Sequence, residues 1–254
     1  MPKSRNIVVP SDYGPVIINR FDNMIGLAIS QHGSWEKDEI ELLRWVVSAC
    51  YQSEPEIEIL DIGANSGIHT IAFARFPFPK VTVHAFEPQR NIFCMLAGTV
   101  ALNGLDHVYC HHKAASSASG QRIQIPAVDY DQPANFGALE LEPVAKPDFD
   151  GKRLAGTTET IETLRIDDLA LTRVRLMKID AEGMEHKVLA GSISTIERCR
   201  PVLFLEYEKT DFGLVKAFLR DARYRSYYAQ RPNILCVPDE FNDIKFEGAE
   251  RVEY

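Results

Sequence analysis

Four acids stand where apolar runs of the chain stop. They are Asp61 after Ile57–Leu60, Glu87 after Val81–Phe86, Asp180 after Val174–Ile179 and Glu206 after Val202–Leu205. Carboxylates set along one rim make a negative crevice, suited to a cationic ligand or a divalent metal. Beside the first of them, Asp61-Ile62-Gly63-Ala64-Asn65-Ser66-Gly67 opens the run into a tight turn. Ile68, Ile71 and Ala72 then start a pattern of helical spacing. The free N–H groups and positive dipole end of that helix lie beside the turn, which suits a carboxylate or phosphate. The turn is not a dinucleotide fingerprint, because Ile68 stands where a glycine or alanine is needed.

These groups are positioned by an alternation of strands and helices. Strands are expected at Ile57–Leu60, Val81–Phe86, Val108–His112, Val174–Ile179 and Val202–Leu205. Between them run stripes of helical spacing, Ile92–Met95–Leu96–Val100 and Val188–Leu189–Ile193–Ile196, with Pro88 and Glu182 at the helix starts. Leu214, Val215, Phe218 and Leu219 mark a further helix, and Arg225–Gln230 with Asn233–Val237 reads as a closing hairpin. The alternation predicts an α/β fold, a doubly wound and mostly parallel sheet in which ligands bind at the carboxyl ends of strands. Upstream, Ser34 is a candidate cap for a helix striped by Ile40, Leu43, Val46, Val47 and Cys50, with Trp35 in the core. Residues 1–33 read as a few short strands or turns, an accessory segment within one domain spanning 1–254. Residues 119–162, with four prolines, form the least regular stretch, an insertion before the fourth strand.

The turn Asp61-x-Gly63-x-Asn65-x-Gly67, joined to His84-Ala85-Phe86-Glu87-Pro88-Gln89 and to the run Leu176–Gly191, resembles the FkbM-type methyltransferases that use S-adenosylmethionine (SAM). The resemblance runs from about Gly33 to Glu206, most of the chain. It implies the seven-stranded Rossmann-like sheet of class I methyltransferases, whose antiparallel strand the closing hairpin would supply. It also implies that SAM is held by Glu36, Asp61, Gly63, Asn65, Gly67, Thr70, Glu87, Pro88, Ala115 and Asp180. Glu36 would lie near the methionine end. Glu87, about twenty positions beyond the turn, would take the ribose diol, since a carboxylate can accept from both hydroxyls. The adenine edge would meet backbone groups at Ala114–Ala118. Asn135-Phe136-Gly137, on a hairpin-like excursion over the site, is read as acceptor-binding.

A methyl transfer to a hydroxyl is an in-line displacement in which positioning supplies most of the advantage, and the proton leaves late to a nearby base. Asp180 is the first candidate for that base, with Glu182 and Glu206 beside it and His32 more distant. Asp180 and Glu206 could alternatively hold Mg²⁺ between them. The expected acceptor is a hydroxyl of a sugar, a polyketide or a similar small molecule.

Composition narrows the alternatives. A length of 254 residues, 45% hydrophobic and 25% charged, is ordinary for a globular protein with a large core. No apolar run approaches the ~20 residues that span a bilayer, and no signal-peptide core precedes the first strand. The five cysteines are scattered and never C-x-x-C, as expected of reduced thiols in a cytoplasm. A net charge of −8 argues against nucleic acid as a partner, and no Asn/Asp-Pro-Pro-aromatic or Pro-Cys motif marks a base methylase. His107, Cys110, His111 and His112 alternate faces on one strand and do not converge on an ion. The competing readings are methylation of nitrogen or of nucleic acid and a non-catalytic SAM-binding module. A nicotinamide dehydrogenase is disfavoured by the missing glycine. Assembly into a homo-oligomer is compatible with the sequence.

Overall fold

The computed structural model describes residues 4–139, 154–246 and 248–254, without the side chains of 154–156. The chain opens with the hairpin β1 (Asn6–Val9) and β2 (Val16–Asn19), then α1 (Ile25–His32) and α2 (Lys37–Tyr51). Next come β3 (Glu56–Ile62), α3 (Ile68–Phe73), β4 (Lys80–Phe86), α4 (Arg90–Leu102) and β5 (Val108–His111). A small excursion follows, with β6 (Ala114–Ala115), β7 (Arg122–Val128) and β8 (Leu154–Leu164). The chain returns through a 3₁₀ turn (Ile166–Leu169) to β9 (Val174–Ile179), α5 (Glu185–Ala190), α6 (Ile193–Cys199) and β10 (Val202–Glu206). It ends with α7 (Phe212–Asp221), β11 (Tyr224–Tyr228) and β12 (Asn233–Pro238).

Seven strands form one sheet in the order β11-β12-β10-β9-β3-β4-β5. The pairings from β10 through β5 are all parallel, and β12 runs antiparallel to both β10 and β11. This is the doubly wound, mostly parallel sheet expected from the alternation. Its central strands are apolar on both faces because helices cover both. Ile57, Ile59 and Leu176 pack with α2 and α3 on one side. Leu60, Ile62, Met177 and Ile179 pack with α5, α6 and α7 on the other.

Several local expectations are corrected. Residues 25–32, read as strand or turn, are a helix that ends where Gly33, at φ 76°, donates to the Ile29 carbonyl. Ser34 caps nothing: the next helix starts at Lys37, after Glu36 in the left-handed region at φ 51°. Pro88 does not open a helix either, for α4 begins at Arg90, and the Gln89 amide before it is taken by the Glu87 carboxylate at 2.8 Å. The helix expected from Glu182 starts at Glu185 and breaks at Gly191, leaving Ile193 exposed rather than buried. A side chain at Gly191 would lie 2.1 Å from the Ser116 carbonyl, so the break keeps the excursion close. The described part of the insertion is more regular than its prolines imply, with β7 and β8 paired antiparallel around a register shift after Pro126, while 140–153 lie outside the described residues.

The accessory segment and the insertion are joined to each other. Ala134 donates to the Phe21 carbonyl at 3.1 Å and accepts from the Asn23 amide at 3.1 Å, and Asp22 and Ala134 form a parallel bridge. Among the described residues, no helix is long and apolar enough to cross a membrane.

The tightest constraint in the sheet lies where β3 opens into its turn. Gly63 sits at φ 79°, and a Cβ there would come 1.9 Å from the Asp180 carbonyl oxygen at the end of β9. Gly63→Ala should therefore cost about 2–5 kcal/mol of unfolding free energy, from left-handed strain plus a backbone clash. Urea unfolding measures it. A loss below about 1 kcal/mol would mean that β9 yields at little cost.

Candidate active site

The rim where β3, β4, β9 and β10 end opens into a cleft, and the turn after β3 forms its floor. Gly63, Asn65 and Gly67 take positive φ values of 79°, 49° and 94°. The Gly63 and Ala64 amides both donate to the Phe86 carbonyl, at 3.0 and 2.9 Å, which ties the turn to β4. Asn65 holds its own conformation by accepting from the Ser66 amide at 2.7 Å through Oδ1.

Glu87 stands at the end of β4 and lines the cleft. Its Oε2 accepts from the Asn65 amide at 3.1 Å and its Oε1 from the Gln89 amide at 2.8 Å. Burial pushes its carboxyl up to about 8, against the pull of those two amides. Gln89 in turn fixes the insertion: its Nε2 donates to the Phe136 carbonyl at 2.9 Å, and its Oε1 accepts from the Tyr130 hydroxyl at 2.9 Å.

Of the residues named from the sequence, Glu36, Gly63, Asn65, Glu87, Pro88, Ala115, Asp180, Glu182 and Glu206 all face this one cleft. Three others lie behind it. Asp61 is fully buried and accepts from the Thr70 hydroxyl at 2.6 Å, and Gly67 packs against Leu96. These three shape the turn from beneath instead of lining the cleft. Asn135 and Gly137 line it, whereas Phe136 points into a core cluster with Tyr130, Ile92 and Met95. Trp35, expected in the core, both packs on the core and lines the cleft. The histidines around β5 are engaged locally, His84 with His111 at 3.3 Å and His112 with the Pro88 carbonyl at 3.0 Å.

Several site groups escaped the sequence reading. Lys178 is a buried lysine on a central strand, 3.5 Å from Asp180. Burial pulls its ammonium down, but Asp180, Asp61, Glu36 and Glu39 together hold it above the usual lysine range. A charged residue inside the apolar run Val174–Ile179 was the signal that could have revealed it. Glu36 and Glu39 form a carboxyl pair next to His69, whose Nε2 lies 3.6 Å from Glu36. Burial, then Glu39, pushes Glu36 up to about 8, while burial and Lys178 hold His69 neutral, well below its usual range. Glu39 also accepts from Asn233 at 2.9 Å, which docks α2 onto the start of β12. Buried Glu185 accepts from the Ala181 and Gly183 amides at 2.8 and 3.3 Å, fixing the loop that carries Asp180 and Glu182.

The second acidic group comprises Asp180, Glu182 and Glu206, with one oxygen of each within 4.8 Å of the others. Lys209 reaches into it, 2.6 Å from Glu182 and 3.5 Å from Glu206. Burial, then Asp180, pushes Glu206 up to about 8, with Lys209 opposing. Asp180 keeps a side chain 39% exposed, so it is the member of the group open to an incoming molecule.

Residues 61–226 match the family described as methyltransferase FkbM domain, and the chain belongs to that family. It is 31% identical over 156 residues to 31-O-demethyl-FK506 methyltransferase FkbM of Streptomyces tacrolimicus, covering 52% of this chain and 58% of that protein. It is 26% identical over 209 residues to Methyltransferase sdnD of Sordaria araneosa, covering 73% and 79%. Methyltransferase 1 of Beauveria bassiana is 25% identical over 168 residues, 57% of this chain and 63% of that one. The match thus spans less than two thirds of the length of two of these relatives. Among solved structures, a methyltransferase FkbM from Methylobacillus flagellatus aligns with a TM-score of 0.49 at 16% identity, over 78% of this chain and 50% of that one.

The buried carboxyl of Glu87 gives the ligand-free protein a definite pH response. Its native value near 8 exceeds the ordinary 4.5, so between those values the folded state holds a proton that the unfolded state has lost. Its contribution is complete below pH 4.5 and fades as the pH rises through about 8. The thermal midpoint should therefore fall from mildly acidic to mildly alkaline pH. Glu87→Gln, which has no proton to lose, should flatten part of that fall. An unchanged slope in the variant would show that Glu87 does not titrate in this window.

Proposed function

We propose that this protein is a SAM-dependent O-methyltransferase of FkbM type acting on a hydroxyl of a sugar, a polyketide or a similar small molecule. The observation that carries the reading is Glu87, a carboxylate at the end of β4 facing the same cleft as the glycine turn. SAM, when bound, supplies a methyl group activated by its sulfonium. Both Glu87 oxygens already accept one backbone amide each, which fixes their remaining lone pairs toward a ribose diol. Gly63 and Asn65 line the cleft beside it, and Ala115 offers backbone groups to the adenine edge. Lys178, Glu36 and His69 stand at the other end, where one cation and several acids match a zwitterionic methionine tail.

Asp180 is the proposed base. It lies at the carboxyl end of β9, is the most open of the three acids, and receives the proton of the attacking hydroxyl late in the displacement. Glu206 and Glu182 flank it and keep the local potential negative. The acceptor enters past Trp35, Asn135 and Leu139, which come from the approach to α2 and from the insertion. Hydroxyl chemistry is inferred from the relative named for 31-O-demethyl-FK506. The net charge of −8 speaks against nucleic acid as the acceptor. A non-catalytic SAM-binding module would not need an ordered acidic group at the rim, and Glu185 orders this one. The chain is read as one methyltransferase domain, with residues 1–33 and 119–162 serving the acceptor side.

Two measurements test the reading. Calorimetry with SAM and S-adenosylhomocysteine above pH 8, where Glu87 is ionised, should give one site per chain, and Glu87→Ala should weaken binding by about 1.5–3 kcal/mol, the worth of hydrogen bonds to a charged group. Tighter binding of NAD than of SAM would end the methyltransferase reading. With an accepted substrate, Asp180→Asn should cut turnover by a factor on the order of 10²–10⁴ while SAM affinity changes little. Unchanged turnover per folded molecule, together with a lowered thermal midpoint, would make Asp180 a structural residue only.

A further inference from the structure

The three carboxylates of the second acidic group have the chemistry of a hard-cation site. Asp180 and Glu206 end adjacent parallel strands, and Glu182 follows Asp180 on a turn at φ 49°. Oxygens within 4.8 Å of one another repel strongly unless a positive charge lies among them. That charge is supplied by the chain itself. Lys209 lies three positions beyond Glu206, and its ammonium is 2.6 Å from Glu182 and 3.5 Å from Glu206.

The loops are shaped to bring it there. Gly183 takes φ 100°, and a Cβ at that position would approach the Lys209 carbonyl to 3.3 Å. The Gly183 amide is held from below by Glu185. The two loops therefore meet at a glycine, and the lysine crosses from one to the other. Lys209 is half-buried, with a side chain 30% exposed, so its charge is only partly screened by water.

We propose that Lys209 is the built-in cation of this group, filling the place a divalent metal would take, so that Asp180, Glu182 and Glu206 work without one. The expectation of Mg²⁺ between Asp180 and Glu206 is replaced by an ammonium. A metal entering here would have to expel Lys209 from two carboxylates and leave it half-buried without a counter-charge. The ammonium differs from a metal in function as well. It offers hydrogen-bond donors to oxygen, leaves Asp180 as an open acceptor of protons, and gives no Lewis-acid pull on the attacking oxygen.

Direct metal binding decides the matter without any methyl transfer, so its outcome is separable from that of the SAM reading. Mn²⁺ is titrated into the whole protein, with free Mn²⁺ followed by its electron-spin resonance and heats by calorimetry. The natural chain should show no stoichiometric site up to about 1 mM, the weak end of protein sites for hard cations. Lys209→Met should acquire one site per chain, tighter by on the order of ten-fold or more once the competing unit charge is gone. Glu206→Gln added to that variant should abolish the gain. One Mn²⁺ per chain in the natural protein, lost on Glu206→Gln, would overturn the proposal. So would Lys209→Met and Lys209→Gln proteins that keep their circular dichroism yet bind Mn²⁺ no better than the natural chain. If Lys209→Met does not fold, Lys209→Gln and the natural chain carry the comparison.

Discussion

A buried ammonium on a central parallel strand persists only if carboxylates surround it, and Lys178 is such a group. Isolated, it would lose its proton or destabilise the sheet by several kcal/mol. Asp61 from β3, Asp180 from β9 and the pair Glu36–Glu39 from α2 surround it and keep it charged. The arrangement runs in both directions, since Asp61 is buried with one oxygen satisfied only by Thr70 and draws on the same lysine. The charge therefore couples the end of β9, the glycine turn and the entry of α2 at one point. Those are the elements whose relative placement sets the shape of the cleft. The close approach of Gly63 to the Asp180 carbonyl fixes the same junction from the backbone side.

The described parts of the two segments outside the sheet, 1–33 and 119–162, meet through Ala134, and Gln89 ties the insertion to the end of β4. Gln89 is central because it follows Glu87 by two positions. This residue, just before α4, anchors the insertion through Tyr130 and the Phe136 carbonyl. Gly137 lies against Ile25 and Asn65, so the insertion touches both the accessory helix and the glycine turn. The described part of the insertion is thus packed directly on the glycine turn and the accessory helix.

The sheet was legible because its strands are apolar runs that end in acids, a pattern both period and composition reveal. The floor of the cleft was legible because glycine at positive φ is a local requirement, seen in Gly63 and Gly67. What escaped were long-range pairings between residues that look ordinary in sequence. Glu39 lies in the first turn of α2 and His69 in α3, yet they meet Asn233 and Glu36 from other parts of the fold. Lys209 went unnoticed, because nothing in Tyr207–Thr210 states that the loop folds back over Gly183. Helix starts were misplaced at Pro88 and Glu182 for one shared reason: short-range side-chain bonds to backbone amides set those boundaries. At Pro88 the Gln89 amide is spent on Glu87, and at Glu182 the loop amides are spent on Glu185.

The charges around the cleft form one connected field. Glu39, His69 and Lys178 are buried beside Glu36, and Lys178 reaches Asp180 at 3.5 Å. Asp180 joins them to Glu182, Glu206 and Lys209, so that two lysines stand among five carboxyl groups. The excess of carboxyl groups over lysines draws a cation to the cleft. A further positive charge there would favour the ionised form of Glu206 over its protonated form. In the ligand-free cleft, burial and like charge hold Glu206 near 8, close to half-protonated at mildly alkaline pH. A cation held in the cleft and the ionisation of Glu206 are therefore linked through the same field.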